Sequence, residues 1–138
     1  MSEPLIFDTS VWIDFLRNKR NPAAELLAAY IERNDPVLLV PTILQEILQG
    51  IREDAQYNYI RDILSYFTVL QISPVEAAIG AADLYRMLRK KGLTIRKSND
   101  CLIAWYAIAF STTLVHSDND FDIISAHSKL RTRKATMK

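Results

Sequence analysis

The sequence predicts a single α/β domain in which a central, mostly parallel sheet of four or five strands is flanked by helices. Three observations carry this expectation. Short apolar runs at Leu5–Asp8, Val37–Val40, Thr68–Ile72 and Thr113–His116 alternate with helix-length segments, the pattern of parallel strands joined by helical crossovers. The length, 138 residues, fits one domain and is enough to bury roughly 70% of the unfolded surface. No linker, internal repeat or low-complexity segment divides residues 1–138.

The elements follow in order. Leu5 to Asp8 is a short apolar run ended by acid and hydroxyl residues, and reads as a buried strand. Ser10 to Leu16 forms a short helix. Asn21 caps a second helix, with Pro22 at its first position and Ala23 to Arg33 as its body. Asn34-Asp35-Pro36 is a turn. Val37 to Val40 is the second strand, and Pro41 starts a helix reaching about Ile51. Asp54 to Tyr66 is helical, with Tyr57, Ile60, Ile63, Leu64 and Phe67 near helical spacing. Thr68 to Ile72 is the third strand. Ser73 caps a long helix from Pro74 to Lys91, stopped by Gly92. Ser98 caps the next, Asn99 to Phe110, which is apolar nearly all round and so belongs in the centre. After the fourth strand, Thr113 to His116, the remainder holds a short turn of helix, a basic tail and room for one edge strand.

Composition excludes several classes. A hydrophobic fraction of 49% with 24% charged residues is that of an ordinary globule. No apolar run reaches the ~20 residues of a membrane span. The N-terminus, Met-Ser-Glu-Pro, lacks the basic region of a signal peptide, and one cysteine makes no internal disulfide. These features point to the cytoplasm. The net charge of +1 does not mark a nucleic-acid binder. Its distribution says more: Arg86, Arg89, Lys90, Lys91, Arg96 and Lys97 crowd one stretch, and Lys129, Arg131, Arg133, Lys134 and Lys138 crowd the tail. Each cluster alone reads as solvated surface. Opposite an acidic pocket, each could hold phosphates.

Four acids interrupt or end apolar runs: Asp8, Glu46, Asp100 and Asp118. A carboxylate beside a core is costly unless something positive or hydrogen-bonding meets it. Together they suggest one pocket for a hard divalent cation, Mg²⁺ or Mn²⁺. Asp8 and Asp118 fall at strand carboxyl ends, where ligands of such sheets bind. Each acid also has a structural reading. Asp8 could cap the next turn, although Thr9 and Ser10 already offer capping oxygens. Glu46 borders the apolar stripe of Ile43, Leu44, Ile47, Leu48 and Ile51, where a glutamate is ordinarily solvated. Gly50, one turn on, either makes room for a ligand or allows tight helix packing. Asp100 could simply favour the helix dipole, worth roughly 0.3–1 kcal/mol. Asp120 is a weaker candidate that orients the loop, and Asp122 reads as solvated. An EF-hand is rejected, because Ile123 and Lys129 stand where that loop needs Gly and Glu. The two histidines, His116 and His127, do not make a zinc site. Cys101 and Trp105 read as core. Trp12 packs or faces a partner.

Asp8-Thr9-Ser10 after an opening strand, Pro41-Thr42-Ile43-Leu44-Gln45-Glu46-Ile47-Leu48-Gln49-Gly50, Asn99-Asp100-Cys101-Leu102-Ile103-Ala104 and Ser117-Asp118-Asn119-Asp120-Phe121 resemble the four landmarks of PIN-domain nucleases, and in particular VapC-type toxins. They span residues 8 to 121, nearly the whole chain. The resemblance implies a PIN-like fold and a Mg²⁺- or Mn²⁺-dependent endoribonuclease acting on structured RNA such as tRNA or rRNA. It implies Asp8, Asp100 and Asp118 as metal ligands, Glu46 as the fourth catalytic acid, and Thr9, Ser10 and Asp120 as secondary polar contacts. It also implies a VapB-like antitoxin and a homodimer. Arg89, Lys90, Arg96 and Lys97 are the candidate RNA contacts. One departure is visible: His116 stands where the family usually carries Thr or Ser. A PIN-type nuclease of RNA processing, or an RNA-binding domain without catalysis, are the alternatives. A phosphoacceptor signalling domain is disfavoured, because the third strand ends Leu70-Gln71-Ile72-Ser73-Pro74 without an acid.

Overall fold

The structure is a computed structural model, and it describes residues 2–134. In chain order it contains β1 (Leu5–Phe7), α1 (Thr9–Leu16), α2 (Pro22–Glu32), β2 (Val37–Leu39), α3 (Pro41–Gln49), α4 (Asp54–Leu64), β3 (Thr68–Val69), α5 (Pro74–Lys90), α6 (Ser98–Ala109), β4 (Thr113–His116), α7 (Asn119–Ala126) and β5 (Thr132–Lys134). The five strands form one sheet in the order β3-β2-β1-β4-β5, and every pair is parallel. This is the α/β arrangement that the alternating apolar runs predict.

The strand order places the site. The chain builds outward from β1 to β3, then crosses back to lay β4 on the other side of β1. The order reverses between β1 and β4, and open parallel sheets bind ligands at such a switch point, beyond the strand carboxyl ends. Phe7 pairs with Val115, and the Asp8 amide donates to the Val115 carbonyl at 2.9 Å. The chain segments carrying Asp8 and Asp118 therefore leave the sheet side by side.

The central strands are apolar because both faces are covered. Leu5, Ile6, Phe7, Leu114 and Val115 are fully buried. The β3 strand lies at the sheet edge with one neighbour, so only Thr68 and Val69 of the expected Thr68–Ile72 run pair. Two caps form as the sequence predicts. Asn21 accepts from the Ala24 amide at 2.9 Å, and Ser73 accepts from the Glu76 amide at 3.4 Å. Gly92 takes a positive φ of 79° just past α5.

Two local expectations are corrected. Ser98 is the first residue of α6 rather than its cap; Lys97 holds the cap position without a side-chain bond. Gly50 terminates α3 instead of lying within it. Of the two readings of Trp12 the packed one holds: it is buried, with its ring edge-to-face to Phe67 at 5.5 Å and to Phe15 at 6.2 Å.

Candidate metal centre

Each acid reaches the site by its own element. Asp8 follows β1 and occupies the N-cap position of α1, yet its side chain caps nothing. Instead its Oδ2 accepts from the Ser10 hydroxyl at 2.8 Å. Asp100 sits in the first turn of α6, where the helix N-terminus favours negative charge. Asp118 caps α7, its Oδ1 accepting from the Asp120 amide at 2.9 Å. Glu46 projects from α3 and is fixed by two donors, the Thr9 hydroxyl at 2.6 Å and the Asn99 side-chain amide at 3.4 Å.

Asp100, Asp118 and Asp120 each place a carboxylate oxygen within 4.8 Å of the others. Two full charges at that spacing repel by about 3–4 kcal/mol at an effective dielectric near 20. Asp100 and Asp120 are 6% and 5% exposed, and one oxygen of each (Oδ2) is buried without any hydrogen-bond partner. Buried carboxylate oxygens left unpaired are costly. A hard divalent cation removes both costs, so this donor set fits one of the oxygen-seeking ions.

Burial and mutual charge act on these acids in the same sense. Asp100 is pushed up to about 7, chiefly by burial and then by the charges of Asp8, Asp118 and Asp120, with Lys97 opposing. Asp8 is also raised, first by burial, with the Glu46 charge adding and the Ser10 hydroxyl opposing. Burial and then the Asp100 charge push the Cys101 thiol up to about 11, which suits a core residue and not a nucleophile.

The structure thus gathers all four sequence-predicted acids at one end of the sheet, in a particular order. Asp120, a secondary contact by sequence, belongs to the close group of three. Asp8 borders Asp100, and Glu46 borders Asp8 at the rim. Thr9 and Ser10 do not cap α1; their hydroxyls orient Glu46 and Asp8. Asn99 is visible in the sequence only as a polar neighbour of Asp100, and it helps to hold Glu46.

Asp122 is half-buried rather than solvated, with the Lys134 ammonium at 2.9 Å and His116 Nε2 at 3.6 Å. His116 is fully buried, and burial lowers its pKa, with the Asp122 and Asp8 charges opposing.

Of the four candidate RNA contacts, two lie at this centre. Arg96 is 78% exposed and places its Nε 3.9 Å from Asp120 Oδ2, and the Lys97 charge acts on Asp100. Arg89 stacks over the Tyr85 ring at 5.8 Å, and Lys90 is exposed at the end of α5. Lys138 of the basic tail lies outside the described residues. No helix among the described residues is long and apolar enough to cross a membrane.

Known proteins resemble this chain in sequence and fold. The chain is 31% identical over 128 residues to a VapC ribonuclease of Mycobacterium bovis and to ribonuclease VapC11 of Mycobacterium tuberculosis, covering 92% of this chain and 96% of each relative. Its fold is similar to VapBC2 from Rickettsia felis, solved bound to a promoter DNA fragment. There the TM-score is 0.74 at 21% identity, over 96% of this chain and 98% of that one. VapBC-1 from nontypeable Haemophilus influenzae is alike at a TM-score of 0.72 and 18% identity, over 94% and 96%. The PIN domain family matches residues 5–126, which include every acid of the centre. The chain therefore belongs to the PIN-domain family, with VapC ribonucleases as its relatives.

Proposed function

We propose that this chain is a Mg²⁺- or Mn²⁺-dependent endoribonuclease toxin that cleaves structured cellular RNA, such as tRNA or rRNA, in the cytoplasm under the control of a VapB-like antitoxin. The observation that carries the reading is the group of Asp100, Asp118 and Asp120 at the sheet switch point, with two buried carboxylate oxygens that no hydrogen bond satisfies.

The residues divide the work. Asp100, Asp118 and Asp120, with Asp8 beside them, would hold the ion. When bound, a divalent cation draws a phosphate oxygen into an otherwise repulsive pocket, activates a water for attack at phosphorus and steadies the developing charge. Glu46 stands outside the three-acid group, its carboxylate oriented by Thr9 and Asn99 as the fourth acid at the rim of the pocket. Arg96 and Lys97 at the rim offer the positive charge that guides a phosphodiester toward the acids.

Control by an antitoxin has its own support. An apolar groove runs between α1 and α4, lined by Phe15, Ile31, Tyr59, Ile60, Ile63 and Phe67. Tyr59 is 65% exposed. The groove suits an apolar peptide face, and an arginine on the same partner would suit the acidic centre through the bidentate geometry that the guanidinium favours with carboxylates. Trp12 serves this groove only as part of its packed wall.

One experiment tests the reading. The purified chain should cleave cellular RNA with Mg²⁺ or Mn²⁺, stop on chelation, and turn over slowly with Ca²⁺, whose ligand geometry is longer and looser. Co-expression with the neighbouring reading frame should suppress cleavage and yield a complex containing two copies of the chain. Cleavage that persists after chelation overturns the metal role. Full activity in the presence of every neighbouring gene product overturns the toxin role.

Replacing Arg96 and Lys97 together with Ala should weaken RNA binding and flatten its salt dependence by roughly one to two units of log–log slope. The same change at Arg89 and Lys90 should do less, since no contact ties those side chains to the centre. Filter binding across a salt series measures both. An unchanged slope in the first double variant would reduce Arg96 and Lys97 to solvated surface.

A further inference from the structure

His116 is a buried side chain beside the centre that the proposed chemistry leaves unused. Strand β4 ends at His116, and Asp118 opens α7, so the Asp118 amide has no partner in either element. A buried or half-buried amide needs one. His116 Nδ1 accepts from that amide at 3.1 Å. A ring nitrogen that accepts carries no proton, so the proton of the neutral ring is on Nε2. That nitrogen is buried and makes no hydrogen bond; its nearest charged neighbour is Asp122 Oδ1, at 3.6 Å. Asp122 in turn is held by Lys134 of β5 at 2.9 Å. The ring has little room to turn. It is 0% exposed and lies 5.3 Å from the Phe121 ring, centre to centre.

Asp118 is thereby held at both ends, its amide by His116 and its carboxylate by the Asp120 amide. We propose that His116 is a positioning residue for the metal centre: as the Nε2–H tautomer it fixes the Asp118 backbone just beyond β4, where His116 itself pairs with Lys134 of the edge strand β5. This rests on the metal-binding reading of the acids. It adds that the aim of Asp118, and hence metal affinity, depends on an acceptor nitrogen two residues before it. Groups that orient metal ligands from behind typically matter 10–100-fold in metal affinity.

The test uses the full chain and Mn²⁺ alone. Long-range ¹H–¹⁵N spectra of the wild type should show His116 as the Nε2–H tautomer, a signature that a merely space-filling ring has no reason to give. Mn²⁺ titration followed by electron paramagnetic resonance should show at least about tenfold weaker binding for His116→Leu, which fills space without an acceptor. His116→Asn, whose Oδ1 can take the place of Nδ1, should stay within about threefold of wild type. A wild-type Nδ1–H tautomer overturns the proposal even if neither variant folds. So does Mn²⁺ binding by His116→Leu equal to wild type, or an equal loss in both variants. A wild type that takes up no Mn²⁺ overturns the metal reading instead, and the tautomer still decides the contact to Asp118.

Discussion

Asp100→Asn should abolish RNA cleavage and at the same time raise the melting temperature of the metal-free protein at pH 8. The two effects have one cause. Asp100 is crowded by Asp8, Asp118 and Asp120 in a buried setting, and its carboxyl is pushed up to about 7 from 3.8. The folded state therefore holds the Asp100 proton more tightly than the unfolded chain does. The stability this brings is fully present below the unfolded value of about 3.8 and is lost as pH rises through about 7. Roughly three units correspond to a ceiling of about 4 kcal/mol at 1.36 kcal/mol per unit. Asparagine has no proton to lose.

The difference in melting temperature between variant and wild type should thus be small near pH 4 and grow through neutrality. Above pH 8 it should level off at a few degrees to roughly 10 °C. Saturating Mg²⁺ should reduce or reverse it, because the ion stabilises only the protein that binds it. Cleavage should fall by at least about 100-fold, since a direct ligand matters more than the outer groups whose loss costs 10–100-fold. A gel assay and calorimetry across pH measure both. Retained cleavage would remove Asp100 from the reacting set. A variant less stable than wild type at pH 8 would make the carboxylate a structural anchor rather than a strained ligand.

The same crowding explains what can be read from sequence. Acids placed at the ends of apolar runs announce the centre, because a strand that is buried on both faces cannot carry a carboxylate without a reason. Asp8 and Asp118 are legible for that cause, and the parallel sheet places them together at the switch point. Asp120 is legible only as a secondary contact. Asp118, Asp120 and Asp122 alternate in one polar stretch, and the sequence ranks them only by their distance from the strand end. Only the packing of α7, with Phe121 fully buried, turns Asp120 inward and leaves Asp122 to Lys134. His116 gives a signal as a departure from the family pattern, but its partner is a backbone amide, which no side-chain pattern marks. Trp12 illustrates the same limit. An aromatic residue on a short amphipathic helix can face core or partner, and the Phe67 ring across the fold decides for the core.

Glycine is the other ambiguity, and it yields a stability effect that the sequence does not mark. The sequence draws attention to Gly50, yet a Cβ there meets only its own helix, at 3.5 Å from the Glu46 carbonyl and 3.6 Å from that of Ile47. Gly80 is the close approach. A Cβ added to it would lie 1.9 Å from Trp105 Nε1 and 2.2 Å from Cε2. The indole is rigid and already packs edge-on against Tyr106, with ring centres 5.7 Å apart. Either the ring or the whole of α6 must move.

Alanine is the better helix former by about 1 kcal/mol, so Gly80→Ala would stabilise α5 if space allowed. Overpacking ordinarily costs about 1–3 kcal/mol and sometimes more, and a clash this deep belongs at the upper end. The net result should be a loss of about 1–3 kcal/mol, or roughly 3–10 °C in melting temperature. Because α6 carries Asn99 and Asp100 in its first turn, displacement of that helix should also lower cleavage. Gly50→Ala should be neutral or slightly stabilising, and Trp105→Leu should recover much of the loss in a Gly80→Ala background. Thermal melts of the wild type, the two single variants and the double variant form a double-mutant cycle at Gly80 and Trp105, with Gly50→Ala measured beside it. If Gly80→Ala melts with the wild type, the indole swings aside at no cost, and the contact between α5 and α6 does not position Asp100.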